Sequence, residues 1–309
     1  MTPAQKRALV TGGTGFIGAA TLSRLIERGY EVHLLGRKAT WDGAGLPWAK
    51  SLRFHQIDLL QQDCRDLLAA IRPTHLLHLA WYAEHGAFWW ALENLDWVAA
   101  SLRLVRAFAA SGGTRAVFAG TCAEYDWSAD TLDEATTPLR PATLYGASKL
   151  ALFQLLQAAR DQLGVSTAWG RIFFPYGPRD QAGKLLSAVI DGVRAGKAVA
   201  CSDGRQVRSF IYVEDVARAF VALLDSDVSG AVNIATDEIS SVRDMVSLAA
   251  RLSGDESLVQ FGARPMQKGE PPLLRAAARR LFEEVGFRPQ FNLADGIAET
   301  VRLRAAKAN

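Results

Sequence analysis

The sequence predicts an α/β protein in which a doubly wound parallel sheet is followed by a smaller α/β lobe. Short apolar runs of strand length alternate with amphipathic helical segments through the first half of the chain. The first of these runs ends in a turn that contains three glycines. Strands that alternate with helices form parallel sheets with right-handed crossovers, and such sheets bind ligands beyond the carboxyl ends of their strands. We therefore expect the functional residues to follow the strands.

The composition is that of an ordinary globular protein. The 309 residues are 49% hydrophobic, which is enough to bury the core of one large unit or of two lobes. The net charge is only +3 and no basic run interrupts the sequence, so neither nucleic acid nor a membrane is an expected partner. The first strand begins too early for a signal peptide to precede it, and no apolar stretch could span a bilayer. We expect a cytoplasmic protein.

The cysteines and histidines give no sign of a disulfide framework or a metal site. Cys64, Cys122 and Cys201 lie far apart and form no C-x-x-C pair. His75 and His78 lie three residues apart in a strand-like run, so their side chains should point to opposite faces of the sheet. We expect no metal.

The first predicted strand leads into the stretch ALVTGGTGFIG, residues 8–18. In a strand-turn-helix unit, Gly12 permits the tight turn and Gly15 lets the backbone approach a pyrophosphate. Gly18 lets the helix pack closely on its strand, and Gly29 marks the end of that helix. The helix N-terminus, with its positive dipole end, would face the phosphates. This stretch predicts a dinucleotide-binding site.

The second predicted strand, Glu31 to Gly36, indicates which dinucleotide is bound. Sites that prefer NAD usually place an acidic residue near this strand end, where it binds the ribose 2′-hydroxyl, whereas a basic residue accommodates a 2′-phosphate. Here Gly36 is followed by Arg37 and Lys38, which favours NADP(H) and leaves NAD(H) possible. The alternative is that the two cations are merely exposed in a loop.

Three further strands complete the predicted sheet. The third runs from Arg53 to Ile57 and is followed by Asp58, which we expect near the adenine. The fourth ends at Ala80. The fifth, residues 115–120, follows a helix that ends near residue 110. An aromatic cluster after the fourth strand is either packing or a wall that faces the substrate. Its members are Trp81, Tyr82, Phe88, Trp89, Trp90 and Trp97.

Three residues after the fifth strand have the chemistry of an acid-base site. Thr121 follows the strand directly, and Tyr145 and Lys149 lie four residues apart on one face of a predicted helix. A tyrosine with a pKa near 10 is a poor catalyst at neutral pH, but a nearby ammonium favours the phenolate. A threonine hydroxyl can hold a substrate oxygen while Tyr145 exchanges its proton. We predict that these three residues are catalytic.

Together these motifs resemble the extended short-chain dehydrogenase/reductase family of nucleotide-sugar epimerases, dehydratases and reductases. The resemblance rests on TGGTGFIG, Thr121 and YGASK, and it continues to the C-terminal part of the chain. RIFFPYGPR at 171–179, DGRQVRSFIYVEDVARAF at 203–220 and ARPMQKGEPP at 263–272 are similar to the family's later segments. The resemblance implies a Rossmann domain over 1–170 and a substrate-binding lobe formed mainly by 171–309. The boundary is approximate, and the lobes are expected to be discontinuous in sequence.

The resemblance also implies the roles of individual residues. Lys149 would hold the cofactor ribose, and Arg208 and Arg264 would bind the substrate phosphates. The residues expected to bind the cofactor are Gly12, Thr14, Gly15, Phe16, Ile17, Gly18, Arg37, Lys38, Asp58, Leu59, Ala80, Tyr145 and Lys149. Those expected to bind the substrate are Thr121, Cys122, Phe174, Arg208 and Arg264. In the family, the helices equivalent to 97–110 and 145–163 pair into a four-helix bundle, so we expect a homodimer.

Departures from the family pattern indicate the reaction. Cys122 and Ala123 stand where the dehydratases carry an acidic pair, and Glu124 comes one residue too late to replace it. Phe174 stands where the family often has a substrate-contacting Asn, and Trp97 where it often has a structural Asn.

The sequence thus favours NADPH-dependent reduction of a nucleoside-diphosphate 4-keto-6-deoxy sugar at C4. The alternative is an NAD-dependent nucleotide-sugar C4 epimerase, which would use the same three catalytic residues. A third hypothesis, a catalytically silent dinucleotide-binding subunit, is disfavoured because all three predicted catalytic residues are present.

Overall fold

The computed structural model describes residues 5–38, 47–181, 183–266 and 269–307. The strands within these residues are β1 (Arg7–Thr11), β2 (Glu31–Gly36), β3 (Leu52–Gln56), β4 (His75–His78), β5 (Arg115–Thr121), β6 (Thr131–Leu132), β7 (Ser166–Ile172), β8 (Pro175–Tyr176), β9 (Val199–Cys201), β10 (Val207–Arg208), β11 (Ile211–Tyr212), β12 (Gly230–Ile234), β13 (Ser240–Ser241), β14 (Val259–Phe261) and β15 (Leu273–Ala276). The α-helices are α1 (Phe16–Glu27), α2 (Arg65–Ile71), α3 (Glu93–Ala110), α4 (Leu144–Ala158), α5 (Arg160–Leu163), α6 (Leu185–Arg194), α7 (Val213–Asp225), α8 (Val242–Ser253) and α9 (Leu293–Lys307).

The predicted α/β fold is confirmed. Seven strands form one sheet in the order β12-β7-β5-β4-β1-β2-β3, and every neighbouring pair is parallel. The strand order reverses between β1 and β4, so the crevice at the carboxyl ends of these two strands is the topological switch point of the sheet. The glycine turn at the end of β1 lies at this edge, and Thr121 ends β5 two strands away.

Strand bounds differ from the predicted ones where pairing with a neighbour ends. The fourth strand stops at His78, not at Ala80, because its partner β1 ends at Thr11, which pairs with His78, and the N–H of Leu79 makes the last bond to that strand. The third strand begins at Leu52 and ends one residue early, at Gln56. Thr121 itself belongs to β5, paired with Ile172 of β7.

The C-terminal half of the chain contributes to both parts of the molecule. Strand β12 pairs with β7 as the edge of the large sheet, and helix α7 packs on α1, where Phe220 and Leu223 join Leu22 and Leu25 in one apolar cluster. The second part is built from smaller sheets, β13-β10-β15-β6, β11-β8 and β14-β9, with helices α6, α8 and α9. After residue 172 the chain therefore passes between the two parts more than once.

The two histidines of β4 serve packing. His78 is buried, and its two ring nitrogens lie 2.7 Å from the hydroxyl of Thr11 and 2.8 Å from that of Ser101. Burial lowers the pKa of His78 to about 3, so its ring is neutral near pH 7. His75 packs edge-on against Tyr30. In the described part of the chain, no helix is both long and apolar enough to cross a membrane.

Candidate active site at the carboxyl edge of the large sheet

The glycine turn leaves the close backbone approach that a dinucleotide needs. Gly12 has φ +72°, and a Cβ there would lie 2.5 Å from the backbone nitrogen of Ala80. A Cβ on Gly18 would lie 2.1 Å from the carbonyl oxygen of Gly12, so helix α1 packs directly on the turn. Gly15 caps α1 without a side-chain hydrogen bond. Backbone N–H groups of the first helical turn are thus available for phosphate oxygens, and these residues fit a dinucleotide.

The end of β2 is closed to an acidic side chain by its neighbour. A Cβ on Gly36 would lie 2.7 Å from the ring of Phe54 on β3 and 3.8 Å from the methyl group of Thr14. Arg37 and Lys38 follow and are exposed. The Phe54 ring occupies the space that a side chain at position 36 would need. The first charged residues after this strand are positive.

The remaining predicted cofactor residues line the same edge. Asp58 is half-buried, and its carboxylate accepts a hydrogen bond from the N–H of Leu60. Leu59 is buried, and its carbonyl accepts a bond from Arg103. The N–H of Ala80 donates to the Thr11 hydroxyl at 3.3 Å.

The structure brings Thr121 and Tyr145 together. The Thr121 hydroxyl lies close enough to the Tyr145 phenol to lower its pKa, at the point where β5 ends and α4 begins. Thr143 caps α4 by accepting a bond from the N–H of Gly146, and a Cβ on Gly146 would lie only 2.3 Å from the carbonyl of Ala123. Because this glycine lets the helix start against the residues after β5, the two hydroxyls face one another.

Lys149 follows one helical turn later and is buried. The residue is only 3% exposed. Its Nζ donates to the carbonyl of Ala119 at 2.7 Å and lies 3.8 Å from the centre of the Trp81 ring. Burial lowers the pKa of Lys149 to about 7, and the negative charge of Glu124 opposes this shift. The amine therefore changes protonation close to neutral pH.

The expected effect of Lys149 on Tyr145 is not found in this structure. Burial raises the pKa of the Tyr145 phenol, and the nearby Glu124 and Cys122 raise it further, while the hydrogen bond to Thr121 lowers it. The lysine amine is directed at the Ala119 carbonyl, so its own contacts do not lead to the phenol. Desolvation is the largest influence on the phenol in this arrangement, and a lowering of the tyrosine pKa by Lys149 stays a prediction.

Glu124 holds Thr121 in place. The two residues form a capping box: the N–H of Thr121 donates to the Glu124 carboxylate at 2.9 Å, and the Thr121 hydroxyl accepts from the N–H of Ala123 at 3.2 Å. The carboxylate is fully buried and also accepts bonds from Trp169 Nε1 at 2.8 Å and Arg171 Nε at 2.7 Å. Glu124 is therefore a structural counter-ion that points away from the site, as expected from its position in the sequence.

The aromatic cluster divides into two groups with different surroundings. Trp81 and Trp97 stack at 6.2 Å beneath Lys149. Phe88 and Trp89 pack edge-on against the Tyr145 ring, with centroids 4.9 and 5.8 Å away. The other two members lie outside these groups: Trp90 is 68% exposed, and the Tyr82 hydroxyl donates to Glu84.

Asn94, one helical turn before Trp97, fills the structural role that the family often gives to an Asn at the position of Trp97. Asn94 is fully buried; its amide nitrogen donates to the carbonyls of Phe88 and Ala91, and its oxygen accepts from Trp81 Nε1. It ties the loop after β4 to α3. The spacing of three residues from Trp97 is the sequence signal that could have identified it.

Of the predicted substrate residues, Cys122, Phe174 and Arg208 are linked by contacts, whereas Arg264 lies after β14. Cys122 is buried, and burial raises the pKa of its thiol to about 12, so it is neutral at pH 7. Arg208 is also buried; it pairs with Glu270 at 3.0 Å and lies 5.3 Å from the ring of Phe174. Cys122 and Phe174 share one apolar cluster. Arg264 is exposed, and its N–H bonds to the carbonyl of Cys201.

Comparison with known proteins identifies the family. The sequence model of the NAD dependent epimerase/dehydratase family matches residues 8–235. The chain belongs to this family. The resemblance inferred from the sequence motifs, and with it the prediction of an NAD(P)-dependent enzyme, is thus confirmed.

Individual relatives of this family match along nearly the whole chain. The UDP-glucose 4-epimerase of Azospirillum brasilense is 29% identical, and the match covers 97% of this chain and 92% of that protein. The UDP-glucuronic acid decarboxylase 1 of Danio rerio is 26% identical, over 96% of this chain and 72% of the relative. The structure of Thermus thermophilus UDP-glucose 4-epimerase in complex with NAD superposes with a TM-score of 0.81 at 27% identity and covers 97% of this chain and 99% of that one.

Proposed function

We propose that this chain is an NAD-dependent epimerase that inverts C4 of a nucleoside-diphosphate sugar, with a UDP-sugar as the first substrate to test. The proximity of the Thr121 and Tyr145 side chains, at the sheet edge that carries the glycine turn, is the observation on which this rests. The relatives with epimerase activity support it, and they favour this alternative over the reduction that the sequence alone favoured.

The chain's own residues account for the proton movements. Thr121 would hold the oxygen on C4 of the sugar. Tyr145, once ionised with the help of the Lys149 ammonium, would accept its proton as a phenolate and later return it. NAD, when bound, supplies the hydride acceptor that makes this oxidation reversible. Epimerisation requires only that the 4-keto sugar rotate in the site, so that the hydride returns to the opposite face of C4. Because the same groups act in both directions, no further acid or base is needed.

The residues after Thr121 argue against elimination of water. A dehydratase needs an acid for the leaving hydroxyl and a base for the C5 proton. Ala123 has no ionisable group, the raised pKa of the Cys122 thiol keeps it protonated, and Glu124 is bound by Trp169 and Arg171. None of these three residues can perform either step.

Lys149 and the two arginines have supporting roles in this proposal. The Lys149 amine lies beside the Trp81 ring at the base of α4, where it would hold the cofactor ribose. Arg208 would meet the substrate diphosphate after exchanging its bond to Glu270, since a guanidinium binds phosphate oxygens in pairs. Arg264 is exposed on the same smaller part of the molecule and would close over the phosphates.

A 4-ketoreductase that uses NADPH is the second candidate, and one observation favours it. Arg37 and Lys38 are exposed after β2, where Phe54 leaves no room for an acidic side chain at Gly36. This is the arrangement that accommodates a ribose 2′-phosphate. Because an epimerase regenerates its cofactor, the choice of the phosphorylated form would gain it nothing, whereas a reductase draws on the reduced NADPH pool.

Proton NMR of purified protein with UDP-glucose and catalytic NAD distinguishes the candidates. An epimerase forms the C4 epimer without net cofactor consumption, and Tyr145→Phe abolishes this. A reductase instead oxidises NADPH stoichiometrically when a nucleoside-diphosphate 4-keto sugar is supplied. Retention of turnover by Tyr145→Phe would refute both. Mass spectrometry of the nucleotide that co-purifies gives an independent answer, since NAD and NADP differ by one phosphate.

We further propose that the enzyme is a homodimer joined by α3 and α4. Exposed leucines lie on both helices: Leu95 on α3 is 53% exposed and Leu155 on α4 is 48% exposed. Just before α3, Trp90 and Leu92 are 68% and 71% exposed. Pairing of the two helices with those of a second copy would make a four-helix bundle and cover this apolar surface.

A further inference from the structure

Aromatic side chains pack around the Tyr145 ring and against Cys122, the residue after Thr121. Four aromatic residues, Phe88, Trp89, Trp127 and Phe174, are here called the aromatic wall. Each is partly exposed, in contrast to the fully buried aromatics of the core. Partly exposed rings beside paired hydroxyls are the surfaces that a bound substrate would cover.

Ring contacts and a shared apolar cluster connect the members of the wall. Phe88 and Trp89 pack edge-on against the tyrosine ring, and Trp89 meets Trp127 edge-on at 6.5 Å. Trp127 and Phe174 share one apolar cluster with Cys122, and Phe174 in turn packs against Phe210. The rings thus form one apolar group beside Tyr145 and Cys122.

The wall has little capacity for hydrogen bonds. The side chains of Phe88 and Phe174 have no polar atoms, and the indole N–H of Trp127 is already bonded to the Cys122 carbonyl at 2.8 Å. The donor that this wall retains is the indole N–H of Trp89. The neighbouring cation, Arg208, is paired with Glu270. A hydroxyl or carboxylate placed against these rings would lose hydrogen bonds to water and regain few.

We infer that the sugar subsite selects a nucleoside-diphosphate 6-deoxyhexose, whose C6 is a methyl group, over a hexose or a uronic acid. This inference rests on the proposed function, which places C4 of the sugar at Thr121 and Tyr145. C6 is attached to C5, the neighbour of C4, so in at least one of the two orientations of the 4-keto sugar its substituent would lie within reach of the rings that contact Tyr145. A methyl group is satisfied by apolar contact, whereas the hydroxymethyl or carboxylate group must be desolvated.

Binding measurements with three UDP-sugars that differ only at C6 test the inference. UDP-6-deoxyglucose, UDP-glucose and UDP-glucuronic acid present a methyl, a hydroxymethyl and a carboxylate to the same site. We expect the dissociation constant to rise by about 10-fold to 100-fold from methyl to hydroxymethyl, and to be largest for the carboxylate. Calorimetry with full-length protein saturated with NAD measures all three. Equal affinities, or tighter binding of UDP-glucose, would overturn the inference.

Two adjacent tryptophans give a matched pair of variants. Trp89→Leu removes a ring that contacts Tyr145, and Trp90→Leu removes one that is 68% exposed. The ratio of the UDP-glucose to the UDP-6-deoxyglucose dissociation constant should fall by about threefold or more in Trp89→Leu and stay within twofold of wild type in Trp90→Leu. An equal change in both variants counts against the wall.

Phe174→Asn provides a second, polar change to the wall. The added amide should improve binding of UDP-glucose relative to UDP-6-deoxyglucose, because it supplies hydrogen bonds that the phenyl ring lacks. If the preference for the methyl sugar is found but no sugar is turned over, the proposed function fails and the inference on specificity stands. Turnover without any preference at C6 has the opposite meaning.

Discussion

Gly120→Ala is a sensitive test of the packing that holds Thr121. A Cβ at this position would lie 2.0 Å from Trp169 Nε1 and 2.7 Å from a carboxylate oxygen of Glu124. Both side chains are buried, and both belong to the network that fixes the Thr121 backbone. The added methyl group must therefore displace one of them.

The size of the effect follows from two contributions. Overpacking of a well-packed core costs about 1–3 kcal/mol, and loss of a hydrogen bond to a charged group costs about 1.5–3 kcal/mol. Together they predict that Gly120→Ala lowers the free energy of unfolding by about 2.5–6 kcal/mol. This is a large part of the roughly 5–15 kcal/mol that stabilises a typical protein. Activity should fall further than the folded fraction does, because Glu124 also bonds to the Thr121 N–H.

Urea unfolding of four proteins checks the reasoning: wild type, Gly120→Ala, Trp169→Phe and the double variant. In the Trp169→Phe background the indole N–H is already absent, so Gly120→Ala should cost at least about 1.5 kcal/mol less there than in wild type. A loss below about 1 kcal/mol for the single variant, or the same loss in both backgrounds, would refute the steric argument.

Three further predictions concern Lys149, the cofactor and the assembly. In the folded protein the pKa of Lys149 is lowered to about 7, from an ordinary value near 10.5, so the unfolded chain binds one more proton between these values. Wild type should therefore gain stability relative to Lys149→Met as pH rises from 7 to 9, by up to about 1.4 kcal/mol per pH unit; parallel pH profiles from urea unfolding would contradict this. Arg37→Ala should weaken NADPH binding about tenfold or more and leave NADH binding nearly unchanged, because charge-assisted hydrogen bonds to the 2′-phosphate are lost, whereas Arg279→Ala, which removes another exposed cation, changes neither; fluorescence titration shows whether both cofactors are instead affected equally. Leu155→Glu should convert the dimer to a monomer by burying a charge in the bundle, and a monomeric wild type in light scattering at micromolar concentration would disprove the assembly.

The sequence predicts those parts of this molecule that depend on local patterns. The bounds of β2 were predicted from its apolar run, and the turn at Gly12 from the glycine spacing. The four-residue spacing of Tyr145 and Lys149 placed them on one helix, which the structure contains as α4. In each case the information lies within a few neighbouring residues, where backbone geometry and helical periodicity decide the outcome.

Contacts between distant residues are where sequence reasoning falls short. The spacing from Thr121 to Glu124 is that of a capping box, but its partners Trp169 and Arg171 come from a strand that is far away in the chain. The raised pKa of Tyr145 likewise depends on burial by elements that the local pattern does not specify. Desolvation is a property of the assembled fold, so its competition with a nearby charge cannot be judged from spacing alone.

The return of the chain to the large sheet has a consequence for its synthesis. When Ile172 leaves the ribosome, six strands of that sheet have been made, but the edge strand is complete only at Ile234. Until then β7 keeps an unpaired edge, and the side of α1 that carries Leu22 lacks its cover from α7. A nascent chain of this length exposes an open strand and apolar surface, both of which favour aggregation. The large sheet therefore cannot finish folding when its first six strands have been made, but must wait for α7 and β12.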